Sequence, residues 1–282
     1  IRALGGGTAE LDLTNITAIT GDFSSLNTII SNSGAVGSNE KFSGIAAQAI
    51  TANDATITVD NANTLSGATT GKVTATIATG SLATLNGLSA AAQPANGDAF
   101  ALTLNDATVD AGDLATLDSK VDQAGGGSIN MNTVVKLTGT LTEAQTFITT
   151  KDNFTNNSNV VDIDLSGTIG DAAAVDTLST DIRALSGGTA EINLTGVTAI
   201  SGTFAQLETI IDDSGAVGSN EKFSGVAAQA LTEDSGGTIS VANANKLSGA
   251  TTGKVTATIA TGSLTTLNGL SAAAQPANGD AF

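Results

Sequence analysis

The sequence predicts an α/β protein, a right-handed β/α solenoid of about nine coils with a parallel sheet on one side and short helices on the other. Three observations predict this fold. A strand-then-helix pattern recurs along the chain. The second apolar residues of the clearest strands lie 27, 33, 28 and 29 positions apart, at Ile77, Leu104, Leu137, Leu165 and Leu194. A long stretch of the sequence, residues 1–100, also recurs at residues 182–282. Short repeats of the spacing seen between the strands are typical of stacked supersecondary units.

The pattern is clearest over residues 191–211. Alternating apolar residues in Ile192-Asn-Leu194 place two side chains on one face of a strand. Thr195-Gly196 has the chemistry of a turn. The segment after it spaces apolar residues as one stripe of a helix, at Phe204, Leu207, Ile210 and Ile211. We therefore predict a short strand, a glycine turn and a short helix.

Other stretches repeat this order. The predicted strands begin at Leu11, Leu102, Val135 and Ile163, and each is followed by a turn and an apolar helical stripe. Thr140-Leu-Thr-Glu143 has capping-box spacing and predicts a helix start. Two units, Phe42–Asn63 and Phe223–Asn245, break the pattern: Ala-Ala-Gln-Ala stands where a strand is due, and strand-like Ile57-Thr-Val59 or Ile239-Ser-Val241 comes late.

Residues 1–100 and 182–282 are copies of one long repeat of about 181 residues, made of six short units. Residues 1–51 match residues 182–232 at 37 of 51 positions. Residues 65–100 match residues 247–282 except that Ala83 is replaced by Thr265. Inward positions stay apolar where the copies differ, as an interior requires. We predict a single continuous solenoid over residues 1–282, an excerpt of a longer array.

Composition excludes several classes of function. Apolar residues make up 40% of the chain but aromatic residues only 3%, which predicts a thin core of Leu, Ile, Val and Ala. The chain has no cysteine, histidine, tryptophan or tyrosine, so thiolate chemistry and a Ser-His-Asp arrangement are excluded. A net charge of −17 argues against nucleic-acid binding, and no stretch is long enough for membrane insertion. We predict no catalytic residues and no enzyme activity.

The acidic residues Asp106, Asp110 and Asp113 are candidate calcium ligands, because calcium prefers oxygen donors. The favoured alternative is that Asp110 or Asp113 caps a helix on a solvated face. Thr74-Ala-Thr76 and Thr256-Ala-Thr258 suggest a flat threonine array, although ordinary strand propensity explains them better. Gly67-Ala-Thr-Thr-Gly-Lys72 lacks the spacing of a phosphate-binding loop and is expected to form a turn.

The recurring unit, apolar-x-Leu followed by a polar turn, resembles a leucine-rich repeat, and Leu13-Thr-Asn15 resembles its asparagine position. The near-identical long duplication, the acidity and the lack of cysteine resemble the giant tandem-repeat cell-surface proteins of marine bacteria. This resemblance implies an extracellular or cell-surface protein.

Two functions are compatible with these features. The first is a structural segment of a long extracellular repeat protein that forms a filament, stalk or surface layer. Its partners would be the same repeat array, continued or self-associated end to end, because uncapped solenoid ends expose strand edges and apolar faces. The alternative is an adhesin-type binding module that recognises a glycan or a surface, with or without calcium.

Overall fold

The structure is a computed structural model that describes residues 7, 9–35, 37, 40–89, 97–216, 218, 221–271 and 279–282. Within these ranges the chain alternates short strands with short helices, and the pairs between named strands are all parallel. Consecutive parallel strands require a crossover connection, which the helices and loops between them supply. The α/β class and the parallel pairing that the sequence predicts are therefore confirmed.

The helices and strands are short. The helices of the described residues are α1 (Phe23–Ser31), α2 (Val59–Ala68), α3 (Leu82–Leu85), α4 (Ala111–Asp118), α5 (Leu141–Thr150), α6 (Ala172–Leu185), α7 (Phe204–Asp212), α8 (Val241–Ala250) and α9 (Leu264–Leu267). The strands are β1 (Leu11–Asp12), β2 (Ala18–Gly21), β3 (Ser33–Gly34), β4 (Phe42–Ser43), β5 (Ala49–Ala52), β6 (Val73–Thr76), β7 (Ala99–Thr103), β8 (Thr108–Asp110), β9 (Ser128–Asn130), β10 (Lys136–Gly139), β11 (Phe154–Thr155), β12 (Asp162–Ile169), β13 (Glu191–Gly202), β14 (Ser214–Gly215), β15 (Phe223–Ser224), β16 (Ala230–Glu233) and β17 (Val255–Thr256). None of these helices is both long and apolar enough to cross a membrane.

The chain forms two compact units. The first unit comprises Ile1–Ala107, Asp113–Val134 and Thr150–Asn157, and the second comprises Thr108–Gly112, Val135–Thr149 and Ser158–Phe282. The first holds a three-stranded sheet of order β1-β4-β3 and a six-stranded sheet of order β11-β9-β7-β6-β5-β2. The second holds a sheet of order β14-β15-β13-β12-β10-β8, in which β13 also pairs with β16, and β16 pairs with β17.

Strand register joins residues one repeat unit apart. In the first unit Ile50 of β5 lies opposite Ile19 of β2 on one side and Val73 of β6 on the other. In the second unit Ile192 of β13 lies opposite Ile163 of β12. All these side chains are fully or almost fully buried. Like residues therefore lie side by side in the sheets, and the interior is built from the branched aliphatic side chains that the composition predicts.

The predicted glycine turns are wrong for two units. Strands β12 and β13 continue through Gly167 and Gly196, where the prediction placed turns. The pairing of β12 with β13 instead shifts register around Ser166 and Gly167. Gly167 has a φ of +84°, which favours glycine, so it allows a bulge in a continuous strand. A turn does form in the first copy, where β1 and β2 are separate strands.

The late strand predicted at Ile57-Thr-Val59 is also wrong, as is its counterpart Ile239-Ser-Val241. Within these two segments only Ile57 and Ile239 pair with a neighbouring strand, each through a single parallel bridge. Helices α2 and α8 begin at Val59 and Val241. The reason is local capping: Thr58 Oγ1 accepts a hydrogen bond from Asn61 N at 3.2 Å. A hydroxyl at this position satisfies a free helix N–H and outweighs the strand propensity of the flanking residues.

The capping box predicted at Thr140 is confirmed. Thr140 N donates to Glu143 Oε2 at 2.7 Å, and Glu143 N donates to Thr140 Oγ1 at 3.4 Å. Thr140 N and Thr140 Oγ1 both donate to the Glu143 carboxylate, and these two hydrogen bonds hold the pKa of Glu143 below its usual value. Helix α5 begins at the next residue, Leu141.

Candidate association surfaces

Two segments of nearly identical sequence fold in the same way in the two copies. Ser81 Oγ accepts a hydrogen bond from Thr84 N at 3.2 Å at the start of α3, and Ser263 Oγ accepts one from Thr266 N at 3.1 Å at the start of α9. The hydroxyl before each helix caps it, so the local sequence alone is enough to set this turn of helix. The two segments are therefore a matched pair.

The two segments differ in burial. Leu82 in α3 is 5% exposed, whereas the same leucine of the second copy, Leu264, is 76% exposed. Phe100 is 1% exposed and its counterpart Phe282 is 43% exposed. Single exposed apolar residues are common on protein surfaces, but here both Leu264 and Phe282 are exposed where the identical residues of the first copy are buried. We call the surface around Leu264, Leu267 and Phe282 the trailing face.

Residues 99–122 make the difference in the first copy. Strand β7 pairs with β6, and Leu104 forms a further parallel bridge with Gly80. Leu102 and Leu104 are both buried. The second copy has the start of this arrangement, because Ala281 forms a bridge with Thr256. The trailing face is thus the surface that the following coil covers in the first copy.

Polar contacts also hold the following coil on the first copy. Asp106 Oδ2 accepts a hydrogen bond from Leu82 N at 2.5 Å, and Asn86 Nδ2 donates to Asp113 O at 3.0 Å. Lys72 Nζ lies 2.9 Å from Asp122 Oδ2. This ammonium and the N–H of Gly125 hold the pKa of the Asp122 carboxyl below its usual value.

The ammonium of Lys254, which corresponds to Lys72, has no ion-pair partner within the described part of the chain. Asn268, which corresponds to Asn86, donates no side-chain hydrogen bond to any described residue. The trailing face therefore presents unused polar groups beside its exposed apolar residues.

The candidate calcium ligands lie at helix starts. Asp106 binds the first N–H of α3, and Asp110 Oδ1 accepts a hydrogen bond from Gly112 N at 2.9 Å at the start of α4. Asp113 lies in the first turn of α4 and uses its backbone carbonyl to bind Asn86. In the described residues no three acidic side chains gather in a group that could hold a metal ion. The capping that the sequence favours for Asp110 is confirmed.

Sequence reasoning missed the role of Asp106, because that role depends on how two strands are paired. Asp106 lies 24 positions after Leu82, and the bridge between Gly80 and Leu104 spans the same distance. Asp106 lies two residues after Leu104, and Leu82 lies two residues after its bridge partner Gly80. The Asp106 carboxylate therefore reaches the N–H of Leu82 at the start of α3. The register between coils, which only the structure supplies, was needed to see this.

A second uncovered apolar surface occurs in the first unit. Leu11 of β1 is 47% exposed, whereas its counterpart Ile192 in β13 is 0% exposed. Ile192 lies between Ile163 of β12 and Phe223 of β15, and Leu11 is paired with Phe42 of β4. The surface around Leu11 and the exposed Ile16, which we call the leading face, is the surface that β12 covers in the second copy.

A buried polar network follows the same rule. In the second copy the almost fully buried Glu191 carboxylate accepts a hydrogen bond from Ser224 Oγ at 2.5 Å and one from Gly218 N at 2.9 Å. In the first copy Glu10 is half-buried and binds Gly37 N, but the buried Ser43 Oγ has no partner. The serine hydroxyl of this network therefore has a partner in the second copy and none in the first.

The sequence expectations for the glycine and threonine motifs hold in part. The turn predicted over Gly67–Lys72 forms only in its second half. Gly67 and Ala68 end helix α2, and Gly71, whose N donates to Thr69 Oγ1 at 2.8 Å, lies in the bend that follows. A Cβ on Gly71 would lie 2.3 Å from Gln48 O, so this turn is packed against backbone and has no space for a phosphate. Thr20, Thr51 and Thr74 lie side by side at matched register; Thr20 and Thr74 are exposed and Thr51 is half-buried.

Equivalent cavities occur in the two copies. A cavity of about 510 Å³ lies beside Ile30, Ser33, Gly44 and Ala68. A cavity of about 240 Å³ lies beside the corresponding residues, Ile211, Ser214, Gly225 and Ala250. Both linings are formed by small and aliphatic residues, without a charged side chain.

The two copies differ on their helical surface in a correlated way. Lys246 Nζ of α8 lies 2.8 Å from both Glu208 Oε1 and Asp212 Oδ1 of α7. These hydrogen-bonded carboxylates raise the pKa of Lys246. The first copy has uncharged residues at the corresponding positions, Thr64, Asn27 and Ser31. The contact between successive helices is thus kept while its chemistry changes.

Comparisons of the chain with protein-family models, with curated proteins and with solved structures found no match.

Proposed function

We propose that this chain is a structural segment of a long extracellular repeat protein, in which the coils stack into one right-handed solenoid that serves as a filament, stalk or surface layer. The observation that carries the proposal is how one strand-and-helix unit covers the unit before it: Leu82 of α3 is 5% exposed, and its N–H donates a hydrogen bond to Asp106 of the next unit. A surface that is completed by the next coil suits an array that grows by adding coils.

Strand pairing supports the stacked arrangement. Each main strand pairs in parallel with a strand from the next turn of the chain, with partners such as Ile50 and Val73 lying 23 positions apart and Ile19 and Ile50 lying 31 apart. Parallel strands joined by a crossover are almost always right-handed. Repetition of this connection in one direction generates a solenoid, which is the finer architecture that we propose.

Composition supports an extracellular, non-catalytic role. The chain lacks the histidine and cysteine that most acid–base and nucleophilic sites use, and its net charge of −17 keeps a long polymer soluble. The resemblance to giant bacterial surface repeat proteins is in line with this role.

Concatenation tests the proposal. Chains that contain one, two and three long repeats of about 181 residues would be compared by small-angle scattering and negative-stain electron microscopy. Stacked coils predict a maximum dimension that increases in proportion to repeat number at constant cross-section. Separate compact bodies joined by flexible segments, seen as beads of fixed size, would refute the proposal. A three-repeat chain with Gly71→Val in every copy serves as a control, because the added side chain collides with the backbone of the preceding coil.

The alternative, an adhesin-type binding module, is favoured by one observation: a cavity recurs at the same place in both copies. Calorimetry with calcium and a glycan array, each with the intact chain, tests it. Sub-millimolar binding that is lost when Ala46 and Ala227 are both replaced by Phe would support the alternative over a purely structural role.

A further inference from the structure

We infer that the outward face of the six-stranded sheet in the first unit is a lateral contact surface, on which a second copy of this chain docks with the same face. We call this surface the neutral face. Its residues, all exposed or half-buried, are Ala18, Thr20, Ala49, Thr51, Thr74, Thr76, Ala101, Thr103, Ser128, Asn130 and Thr155. The inference rests on the proposed function and deepens it, because it names the partner that would hold a filament or surface layer together sideways.

The alternation of side chains along the strands defines the neutral face. Ile50 of β5 and Val73 of β6 are fully buried, so the next residues, Thr51 and Thr74, point away from the core. The strand register places Thr20, Thr51 and Thr74 side by side on three adjacent strands. Adjacent strands lie about 4.8 Å apart, so these hydroxyl groups form a regularly spaced row.

The neutral face carries no charged residue in a chain whose net charge is −17. In the second unit, by contrast, outward positions of β10 and β12 carry Lys136, Asp162 and Asp164. A large net charge keeps copies of a protein apart, and like charges placed opposite each other across an interface are strongly unfavourable. Two copies of this chain can therefore approach most closely where neither presents a charge.

The two copies of the long repeat keep these sheet positions uncharged, although their helices differ in charge. At the outward positions of β2, β5 and β6 the copies differ only in that Thr20 is replaced by Ser201, which keeps the hydroxyl group. On the helical surface Asn27 is replaced by Glu208. The helical surface has thus acquired charge where the sheet surface has not.

The chemistry of the neutral face suits an identical partner. A hydroxyl group is both a donor and an acceptor, so the threonine rows of two copies can satisfy each other without any charge. In the described part of the chain, no hydrogen bond engages the side-chain hydroxyls of Thr20, Thr51 and Thr74. The methyl groups of the alanine and threonine residues add apolar area that two such faces would bury.

The size of the neutral face predicts a weak contact between two chains. Six strands of about four residues, spaced about 4.8 Å apart, present on the order of 400 Å². A stable complex of two proteins buries about 800 Å² on each partner. The same hydroxyl positions recur in the second copy at Ser201, Thr232 and Thr256, so lateral contacts gain strength through repetition.

Sedimentation equilibrium of the intact chain at low and high salt tests the contact. Salt screens the net charge of −17, so the apparent mass should increase with protein concentration more strongly at high salt than at low salt. Thr74→Glu places like charges on both faces and should weaken the association by about tenfold or more. Thr108→Glu, at an exposed residue of β8 outside the neutral face, changes the net charge equally and should leave the association nearly unchanged.

A charge exchange tests whether the neutral face meets itself. Thr74→Glu and Thr74→Lys should each associate less than the original chain, whereas a mixture of the two at low salt should associate more than either alone, because only the mixed pair brings opposite charges together. Circular dichroism shows whether each variant is folded. If a substitution at Thr74 unfolds the chain, the same exchange at Thr20, which is also exposed, replaces it.

The outcomes separate this inference from the proposed solenoid. An apparent mass that stays constant with concentration at high salt would overturn the lateral contact, and so would an association that Thr108→Glu weakens as much as Thr74→Glu does. Binding of a glycan that Thr74→Glu abolishes would make the glycan, and not a second copy, the occupant of the face. Concatenated chains that appear as separate beads but still associate through Thr74 would refute the solenoid and sustain the contact.

Discussion

The segment before residue 101 and its duplicate at the end of the sequence share one set of side chains but occupy two environments. Both form the same capped helix, and in both an aspartate, Asp98 or Asp280, accepts hydrogen bonds from a serine hydroxyl and a backbone N–H. Leu82 is nevertheless buried and Leu264 is exposed. The difference shows which properties a coil encodes by itself and which it acquires from its neighbour. Local conformation is set by the sequence of the segment, and burial is set by the residues that cover it.

The largest expected effect is at the aromatic position. Phe100→Ala removes a buried ring and should cost about 3–5 kcal/mol in the free energy of unfolding. Phe282→Ala, at the exposed counterpart, should cost less than about 1 kcal/mol. Urea unfolding followed by circular dichroism measures both, since the chain has no tryptophan or tyrosine to report by fluorescence. Equal losses would mean that the two copies do not differ as the structure indicates.

A smaller effect is expected at the buried carboxylate. Asp98→Ala leaves two buried donors, Val73 N and Ser66 Oγ, without an acceptor, which should cost about 2 kcal/mol or more. Asp280→Ala should cost less, because Asp280 is half-buried and water can replace the carboxylate there. Asp98→Asn keeps one acceptor oxygen, so its loss of stability should lie between those of Asp98→Ala and Asp280→Ala. A larger loss for Asp280→Ala than for Asp98→Ala would contradict the comparison.

The ion pair should contribute less again. Lys72→Met removes the contact with Asp122, and because the Lys72 side chain is 32% exposed the expected loss is about 0.5–1 kcal/mol. Lys254→Met should leave stability unchanged and should be insensitive to added salt. Thermal unfolding at low and high salt measures both, and a salt-dependent loss for Lys254→Met would reveal a partner that the structure does not contain.

The smallest effect lies outside the duplicated segments. Burial, with the nearby Glu191 and Asp164 carboxylates, raises the pKa of Asp162 above its usual 3.8, although Lys136 opposes the shift. The folded state therefore keeps this proton more readily than the unfolded state, and stability decreases as the pH rises through this carboxyl's range. Asp162→Asn should be more stable than the original at pH 7, by less than about 1 kcal/mol, and the gain should vanish below pH 3.8. A variant that is less stable at pH 7 would show that the charge is satisfied in the fold.

Much of the fold was predictable because apolar spacing and capping act over a few residues. The start of α5 followed from Thr140 and Glu143 alone. The continuous strands β12 and β13 did not follow, because a Thr-Gly or Ser-Gly pair is compatible with a turn or a bulge and only the adjacent strand decides. The helix at Val59 was missed for the opposite reason, since one hydroxyl at Thr58 overrode the strand propensity of its neighbours.

The association surfaces were less predictable than the fold. The exposure of Leu264 cannot be deduced from the sequence around it, because nearly the same sequence surrounds Leu82, which is buried. The acidic residues suggested metal binding because they lie close together in the sequence. In the structure Asp106 and Asp122 instead bind groups that lie 24 and 50 residues away in the chain.

The lysine of α8 with its two carboxylates has a consequence for how two similar copies within one chain fold correctly. Near-identical neighbours are prone to exchange elements during folding, because each can pack where the other belongs. If α8 were to pack on α1, Lys246 would lie beside Asn27 and Ser31 and would lose both of its acidic partners. The surface differences between the two copies therefore disfavour packing of a helix on the wrong copy, while the interior residues of the two copies remain similar.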